Sequence, residues 1–417
     1  MFDKLIDLIR NEAGNALFLV ALSFPVLIGT GGLATDTVQW TVWKREIQRQ
    51  ADSAALAGAY AKAQGGDPMA SATTEINRHS FVTLLGSPTI ESAPTAGSFA
   101  GNANAVRVVL KMQKALPFSS LFLSSAPVLT ADATAAVISN GNYCVISLEP
   151  TSATGVTMQG NASVTMGCGI ATNSIASNAV TAGGSSSIFA TPVAAVGGLQ
   201  ASANYAAGTT LQPYSIAQPD PFAGLPTPSV TTCSGKLSVA PNATQHVTNA
   251  AGVSCYRGMD LKGTVSFDPG VYLIDGSSFS AGSQTVITGT GVTFILTSSN
   301  ATSNPSTIAT VDINGGASLQ LTAPTSGTYK GVLFYQDRRA QDSGSNTVNG
   351  NAGSKLQGAI YMASQAVSFS GDSGMTTECI QIVSRRVTFT GNTMIANNCP
   401  SGSGASSFTG ARVQLVS

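Results

Sequence analysis

The sequence predicts a mainly β chain: an N-terminal transmembrane helix and stalk with a small α/β unit, followed by a C-terminal parallel β-helix, or solenoid. Three observations carry this expectation. Ala13 to Thr35 runs 23 residues without a charge. Half of the 40 charged side chains fall in the first 140 of 417 residues, so charge thins out where Gly, Ser, Thr and Asn take over. Beyond that point short alternating strands recur at offsets of 20 and 24 residues.

Residues 1–12 form a short tail, expected to be cytoplasmic, and 13–35 the membrane span. At 1.5 Å per residue the uncharged run reaches about 35 Å, enough for a hydrocarbon core of about 30 Å. Pro25 and Gly29, Gly31 and Gly32 would break a soluble helix but are tolerated in lipid. A cleaved signal peptide is the alternative, with Lys4 and Arg10 as its charged start. Asp3, Asp7 and Glu12 cancel that charge, and Leu33-Ala34-Thr35 is a poor cleavage site. Within 36–140, Trp40, Trp43, Ile47, Ala51, Ala54 and Gly58 recur every three or four residues, which continues the helix to Ala63. Trp40 and Trp43 beside Lys44 and Arg45 suit either an interfacial belt or a packing face. Asp67-Pro68 then caps a second helix to about Leu85, with Met69, Ala72, Ile76 and Leu84 inward. Alternation at 105–112 and 128–138 marks two strands.

Residues 141–417 form the β-helix. Ile360, Met362, Ser364, Val367, Phe369, Gly371 and Asp372 match Ile380, Ile382, Ser384, Val387, Phe389, Gly391 and Asn392 at an offset of 20. Cys144, Ile146, Val156 and Thr157 match Cys168, Ile170, Val180 and Thr181 at 24. Alternation turns Val, Ile and Phe inward, and Gly-Asn or Gly-Gly ends let each strand turn a corner. A β-sandwich explains the repeats less well. The stretch 183–230 is too rich in Ala, Pro and Gly for regular rungs and is expected to run over the surface. Ala411 to Val416 is a candidate terminal strand.

All six cysteines lie in this part, which suggests an oxidising compartment. Stacked rungs lie about 4.8 Å apart, within reach of a disulfide, so cysteines one period apart can bridge. Cys144–Cys168, Cys233–Cys255 and Cys379–Cys399, separated by 24, 22 and 20, are the leading choice among 15 connectivities. No CxxC spacing exists and the only histidines are His79 and His246, so no metal site and no cofactor are expected.

Net charge is zero, which removes the footprint of a nucleic-acid binder. Glycoside cleavage needs two carboxylates about 5 to 9.5 Å apart. The β-helix has ten acids, and none pairs with another across the 20-residue repeat. Asp337, Asp372 and Glu378 are expected to be exposed and unpaired, and nothing places a nucleophile beside His246. No catalytic residue is assigned. Arg338 and Arg339, with Asp337 and Asp342, and Arg385 and Arg386 are the densest charge groups. They are candidate contacts for an acidic glycan or a pilus subunit, or else plain solvated positions.

Arg10-Asn11-Glu12-Ala13-Gly14-Asn15-Ala16, the apolar run broken by Phe24-Pro25-Val26-Leu27, Asp36, and Gln48-Arg49-Gln50-Ala51-Asp52-Ser53-Ala54-Ala55-Leu56-Ala57 resemble the N-terminal region of TadG-like proteins of the Flp pilus, or tight adherence (Tad), assembly system. The resemblance covers about residues 8–64 closely and 117–137 more loosely. It implies a single-pass protein of the bacterial inner membrane with its bulk in the periplasm or reaching the surface. Its implied partners are other pilus-assembly or pseudopilin components. The basic residues flanking the span mildly oppose this orientation and the cysteines favour it. Leu19 stands where pseudopilins carry a Glu five residues after the cleaved Gly, so processing at Gly14 is not expected. The DxSxS motif of von Willebrand A domains, found in some members, is missing. The expected function is therefore a non-enzymatic, membrane-anchored envelope protein of pilus assembly or tight adherence. A surface adhesin or glycan-binding module is second, and a polysaccharide-active β-helix enzyme third.

Overall fold

The computed structural model describes residues 12–78, 82–165, 167–230, 232–351, 353–371, 376–391, 394–395 and 407–417. The chain divides into two compact units, Met1–Ile138 with Val413–Ser417, and Ser139–Arg412.

The first unit is built on one 52-residue helix, α1 (Glu12–Ala63). Its N-terminal half buries almost nothing: Phe18, Leu19, Val20, Leu22, Phe24, Val26, Leu27 and Ile28 are each 50–65% exposed. From Ile47 onward the small residues Ala51, Ala54, Ala55 and Ala59 let the same helix pack closely against other elements. These are α2 (Pro68–Arg78) and an antiparallel sheet of β1 (Thr89–Glu91), β2 (Ala105–Gln113) and the first part of β3 (Val128–Ser147). Ala72, Ile76, Val106, Val108, Leu110, Met112, Ala131, Ala133 and Ala135 complete this core. The Asp67 carboxylate accepts the Met69 and Ala70 N–H groups at 2.9 and 3.2 Å, satisfying two donors that a helix start leaves open. Described residues from Val82 to Gly86 are not helical, so α2 is shorter than its sequence pattern suggests, and Met69 in its first turn is half exposed.

The second unit is a parallel β-solenoid of about eleven turns. Its stacking order differs from its sequence order. The chain enters mid-stack through the end of β3, and successive rungs Gly169–Thr172, Val193–Ala195 and Leu211–Gln212 build toward one end. It then crosses back and restarts at the opposite end with Leu237–Val239, Thr244–Val247 and Val253–Tyr256. From there every rung stacks in parallel on the last, through Met259–Leu261, Ser278–Ala281, Thr310–Ile313 and Ser345–Gly350 on one face. The final rung, Thr376–Gly391, docks on the rung where the chain entered: Ile382–Ser384 pair with Val145–Ser147, and Val387–Phe389 with Val156–Met158. A seam thus joins residues about 235 apart, and the edge that β3 would present to solvent is covered.

Inside, the alternating Val, Ile and Phe form one continuous core. Phe294 stacks on Tyr272 and Phe334, the equivalent positions of the rungs on either side, at centroid distances of 5.6 and 5.3 Å, and meets Phe267 and Phe279 from other strands across the core at 5.2 and 4.9 Å.

Three expectations need correction. Regular rungs continue through Ser187–Phe189 and Val193–Ala195 to Leu211–Gln212, so the surface excursion begins at about 213 and not at 183. Ile360 pairs with Ile382, an offset of 22, while Val367 pairs with Val387 at 20, because a bulge between Met362 and Ala366 absorbs two residues. Ile170 pairs with Val145 and Ile146 with Ala171, an offset of 25, so Ile146 and Ile170 are not equivalent positions. The expected C-terminal strand is present as Phe408–Leu415. Residues 413–417 belong to the first unit, where Thr134 N–H donates to Ser417 O at 2.7 Å and Val416 N–H to Thr134 O at 2.8 Å.

Candidate functional site

The four arginines singled out by sequence lie at two places on the solenoid, and neither pair is free. Arg385 and Arg386 sit at the corner of the final rung, between its two ladders with the entry rung. There Glu149, two residues past β3, has a side chain with no exposed surface. It accepts Arg385 Nε at 3.0 Å, Arg386 Nη1, and the Thr151 N–H and hydroxyl at 3.0 and 2.6 Å. Asp342 lies on the other side of the same guanidiniums, 3.2 Å from Arg385 Nε and 2.9 Å from Arg386 Nη1. Burial alone would raise the Glu149 carboxyl. The hydrogen bonds from Thr151, Arg385 and Arg386 outweigh it and hold the group down at about 2. Ser147 Oγ adds a bond to Arg385 O at 2.8 Å, so the arrangement clasps first rung to last.

Asp337 is not the exposed acid that its sequence context suggests. It is 1% exposed and bound by Thr297 Oγ1 at 2.8 Å and by Arg339 Nε and Nη2 at 3.0 and 2.6 Å. Burial pushes its carboxyl up, but the Arg339 bonds prevail and keep it below its usual range. Asp372 lies outside the described residues, as does the side chain of Glu378.

Arg338 and Arg339 hold the crossing segment. Arg338 donates to Leu225 O at 3.0 Å and to Phe222 O, and Arg339 to Pro228 O at 3.1 Å. Between them Tyr361 receives Arg338 Nε at 2.5 Å and donates its hydroxyl to Asp220 at 2.6 Å. Burial, and the hydrogen bond to Asp220, push the Tyr361 phenol well above its ordinary range, so it remains a donor. Phe222, Leu225 and Val230 cover an outward apolar row that includes Ile146, Leu273, Ile295, Tyr335, Tyr361 and Val383. The prolines that rule out a strand here suit an extended strap bound through its carbonyls. Beside it, a cleft of about 330 Å³ opens between Ile146, Gln218, Pro219, Pro221 and Phe408.

Cys144 and Cys168 are joined with Cα atoms 5.8 Å apart, at the point where the ladder between their rungs shifts register. Cys233 and Cys255 are joined at 4.6 Å in the end rung. Cys379 is disulfide-bonded, and its expected partner Cys399 lies outside the described residues.

One constellation was missed by sequence. His246 and Ser266 are partners in adjacent rungs, with Nδ1 2.8 Å from the serine Oγ, while Asp268 lies 3.2 Å from Nε2. The residue types are those of a hydrolytic triad. The surroundings differ: the His246 and Asp268 side chains are 57% and 40% exposed, and the Asp268 N–H is spent on Val247 O at 3.0 Å. An outward row of polar side chains on stacked strands accounts for the same contacts.

Residues 14–62 match the family model for Flp pilus-assembly TadE/G-like domains. The match begins at Gly14 and ends at Lys62, so it falls wholly on α1, exposed apolar half and packed half together. No curated protein and no solved structure matches the chain.

Proposed function

We propose that this is a non-enzymatic, membrane-anchored envelope protein serving Flp-type pilus assembly or tight adherence, with its solenoid presented in the periplasm. The observation that carries the reading is the TadE/G-like match on α1. The matched helix has an apolar half of suitable length for a bilayer, with a mean hydropathy of 1.8 and almost nothing packed over it. The disulfides support an oxidising compartment on the solenoid's side of the membrane. The charge clusters support a structural and binding module. Glu149 and Asp337 are held ionised well below neutral pH, so neither can supply a proton as a general acid, and their guanidinium partners are already engaged. Partners among the pilus-assembly components would then meet the outer faces of the rungs.

The test replaces residues 139–412 by a short Gly-Ser linker in cells that carry the pilus system. Pilus number and surface attachment are expected to fall strongly, while His246→Ala is expected to leave both unchanged. The second reading, a hydrolase, rests on the His246, Ser266 and Asp268 contacts. Cleavage of a polysaccharide by the wild-type chain, lost in His246→Ala, would replace the proposal with it. Unchanged piliation and attachment in the deletion would also overturn the proposal.

A further inference from the structure

Among the described residues, the loop between β2 and β3 carries the longest run of consecutive exposed large apolar side chains outside α1. Leu121, Phe122 and Leu123 are 76%, 66% and 45% exposed, three in a row, whereas the other exposed apolar side chains outside α1, such as Ile175, Tyr214 and Val253, stand singly in the sequence. Their position relative to α1 is set by four contacts. Lys114 meets the helix highest: its carbonyl accepts Trp40 Nε1 at 3.5 Å and its ammonium lies 5.1 Å from the Trp43 ring. Four residues later the Phe118 ring lies on Gly32, so close that a Cβ there would sit 2.2 Å from the ring. From Trp43 to Gly32 the helix covers about 16 Å, so the loop descends along α1 by that distance toward its apolar half. Asp36, the first charge after the uncharged run, is buried and accepts the Ser119 N–H at 2.6 Å. A single 3₁₀ turn, Ser119–Leu121, then presents the three apolar side chains, and Gln113 Nε2 donates to Ala126 O at 2.7 Å to close the loop's base.

We infer that Pro117–Leu123 is a second membrane contact, a monotopic tip that inserts Leu121, Phe122 and Leu123 among the acyl chains beside the spanning helix. The inference rests on the reading of α1 as a membrane span. What selects lipid over a protein partner is continuity: the tip is clamped to Gly32, inside the uncharged run, at a depth where α1 itself is surrounded by hydrocarbon. Trp40, Trp43 and Lys114 lie above it, where amphipathic rings and a snorkelling ammonium suit the headgroup layer. A tip so placed would fix the tilt and rotation of α1, because the helix and the loop would enter the bilayer as one body.

The test uses the full chain with its native disulfides, reconstituted in nanodiscs of phosphatidylcholine and phosphatidylglycerol. A nitroxide is placed by Leu121→Cys, Phe122→Cys, Val26→Cys or Ser98→Cys, one at a time. Collision with oxygen, which concentrates in lipid, is expected to exceed collision with a water-soluble nickel chelate several-fold at 121, 122 and 26, and the reverse is expected at 98. Lipid exposure at 26 with nickel access at 121 and 122 equal to that at 98 would overturn the tip and leave the span intact. Nickel access at 26 would overturn both. Low access to both reagents at 121 and 122 would mean burial against a second copy of the chain and would also overturn the inference.

Discussion

Glu149→Ala is expected to destabilise the solenoid by about 3 kcal/mol, at the lower end of what breaking a buried ion pair costs because Asp342 still faces the two guanidiniums. The residue has no exposed side-chain surface and receives five hydrogen bonds, so alanine would strip Arg385 and Arg386 of one of their two carboxylates at the seam. The pH dependence follows with its sign. The folded-state carboxyl lies at about 2 against an ordinary 4.5, so its contribution is complete above about pH 4.5 and is lost as pH falls toward 2. At 1.36 kcal/mol per unit this also amounts to about 3 kcal/mol. Urea unfolding of wild type and variant at pH 7 and at steps down to pH 2 checks both statements. The stability gap is expected to close over that acid interval. A gap that persists at pH 2 would mean that the clasp does not act through the ionised carboxylate.

Reduction of the two described disulfides is expected to cost roughly 3 kcal/mol each in the chain-entropy model, since they close loops of 24 and 22 residues. Their effects should differ in kind. Cys144–Cys168 ties the entry rung to its neighbour in the middle of the stack, so its loss should weaken the seam. Cys233–Cys255 lies in an end rung, where Ser234 makes a single bridge to Tyr256, so its loss should let that end fray. Hydrogen exchange of Cys144→Ser/Cys168→Ser and Cys233→Ser/Cys255→Ser variants separates the two. Faster exchange confined to residues 233–256 is expected for the second pair. Equal acceleration throughout the stack for both would contradict the division.

The periodic parts were legible in the sequence because neighbouring rungs place like residues in like environments. Phe369 and Phe389, or Val156 and Val180, declare their stacking through spacing alone. The seam was not legible. Val145 and Ile382 stack although 237 residues separate them, and any inward Val or Ile would satisfy that contact, so nothing in either residue marks the partner. For the same reason Glu149 passed unnoticed as the acid that Arg385 and Arg386 hold. Asp337 looked exposed because it opens a charged run, yet its strand neighbour Gln336 is buried and Thr297 and Arg339 wait for its carboxylate inside. The bulge between Met362 and Ala366 kept the same residue types in both registers, so an offset of 20 fitted the first half of the repeat as well as the true 22. His246 and Ser266 met across rungs for which no repeat was visible. In the first unit, Gly32 is closely approached by Phe118 while Gly29 and Gly31 in the same run have nothing within 4 Å of where a Cβ would sit, so the glycines alone did not mark which one meets the loop.

The most direct measurement is a pair of reporter fusions after Ser417, one to alkaline phosphatase, which is active only once exported, and one to β-galactosidase, which is active only in the cytoplasm. Each is scored in membranes washed with alkaline carbonate. For a chain anchored by α1 with its solenoid in the periplasm, the phosphatase fusion is expected to be active and to stay with the washed membranes, and the galactosidase fusion to be inactive. Galactosidase activity with silent phosphatase, or an active phosphatase released by the wash, would contradict an anchored periplasmic solenoid.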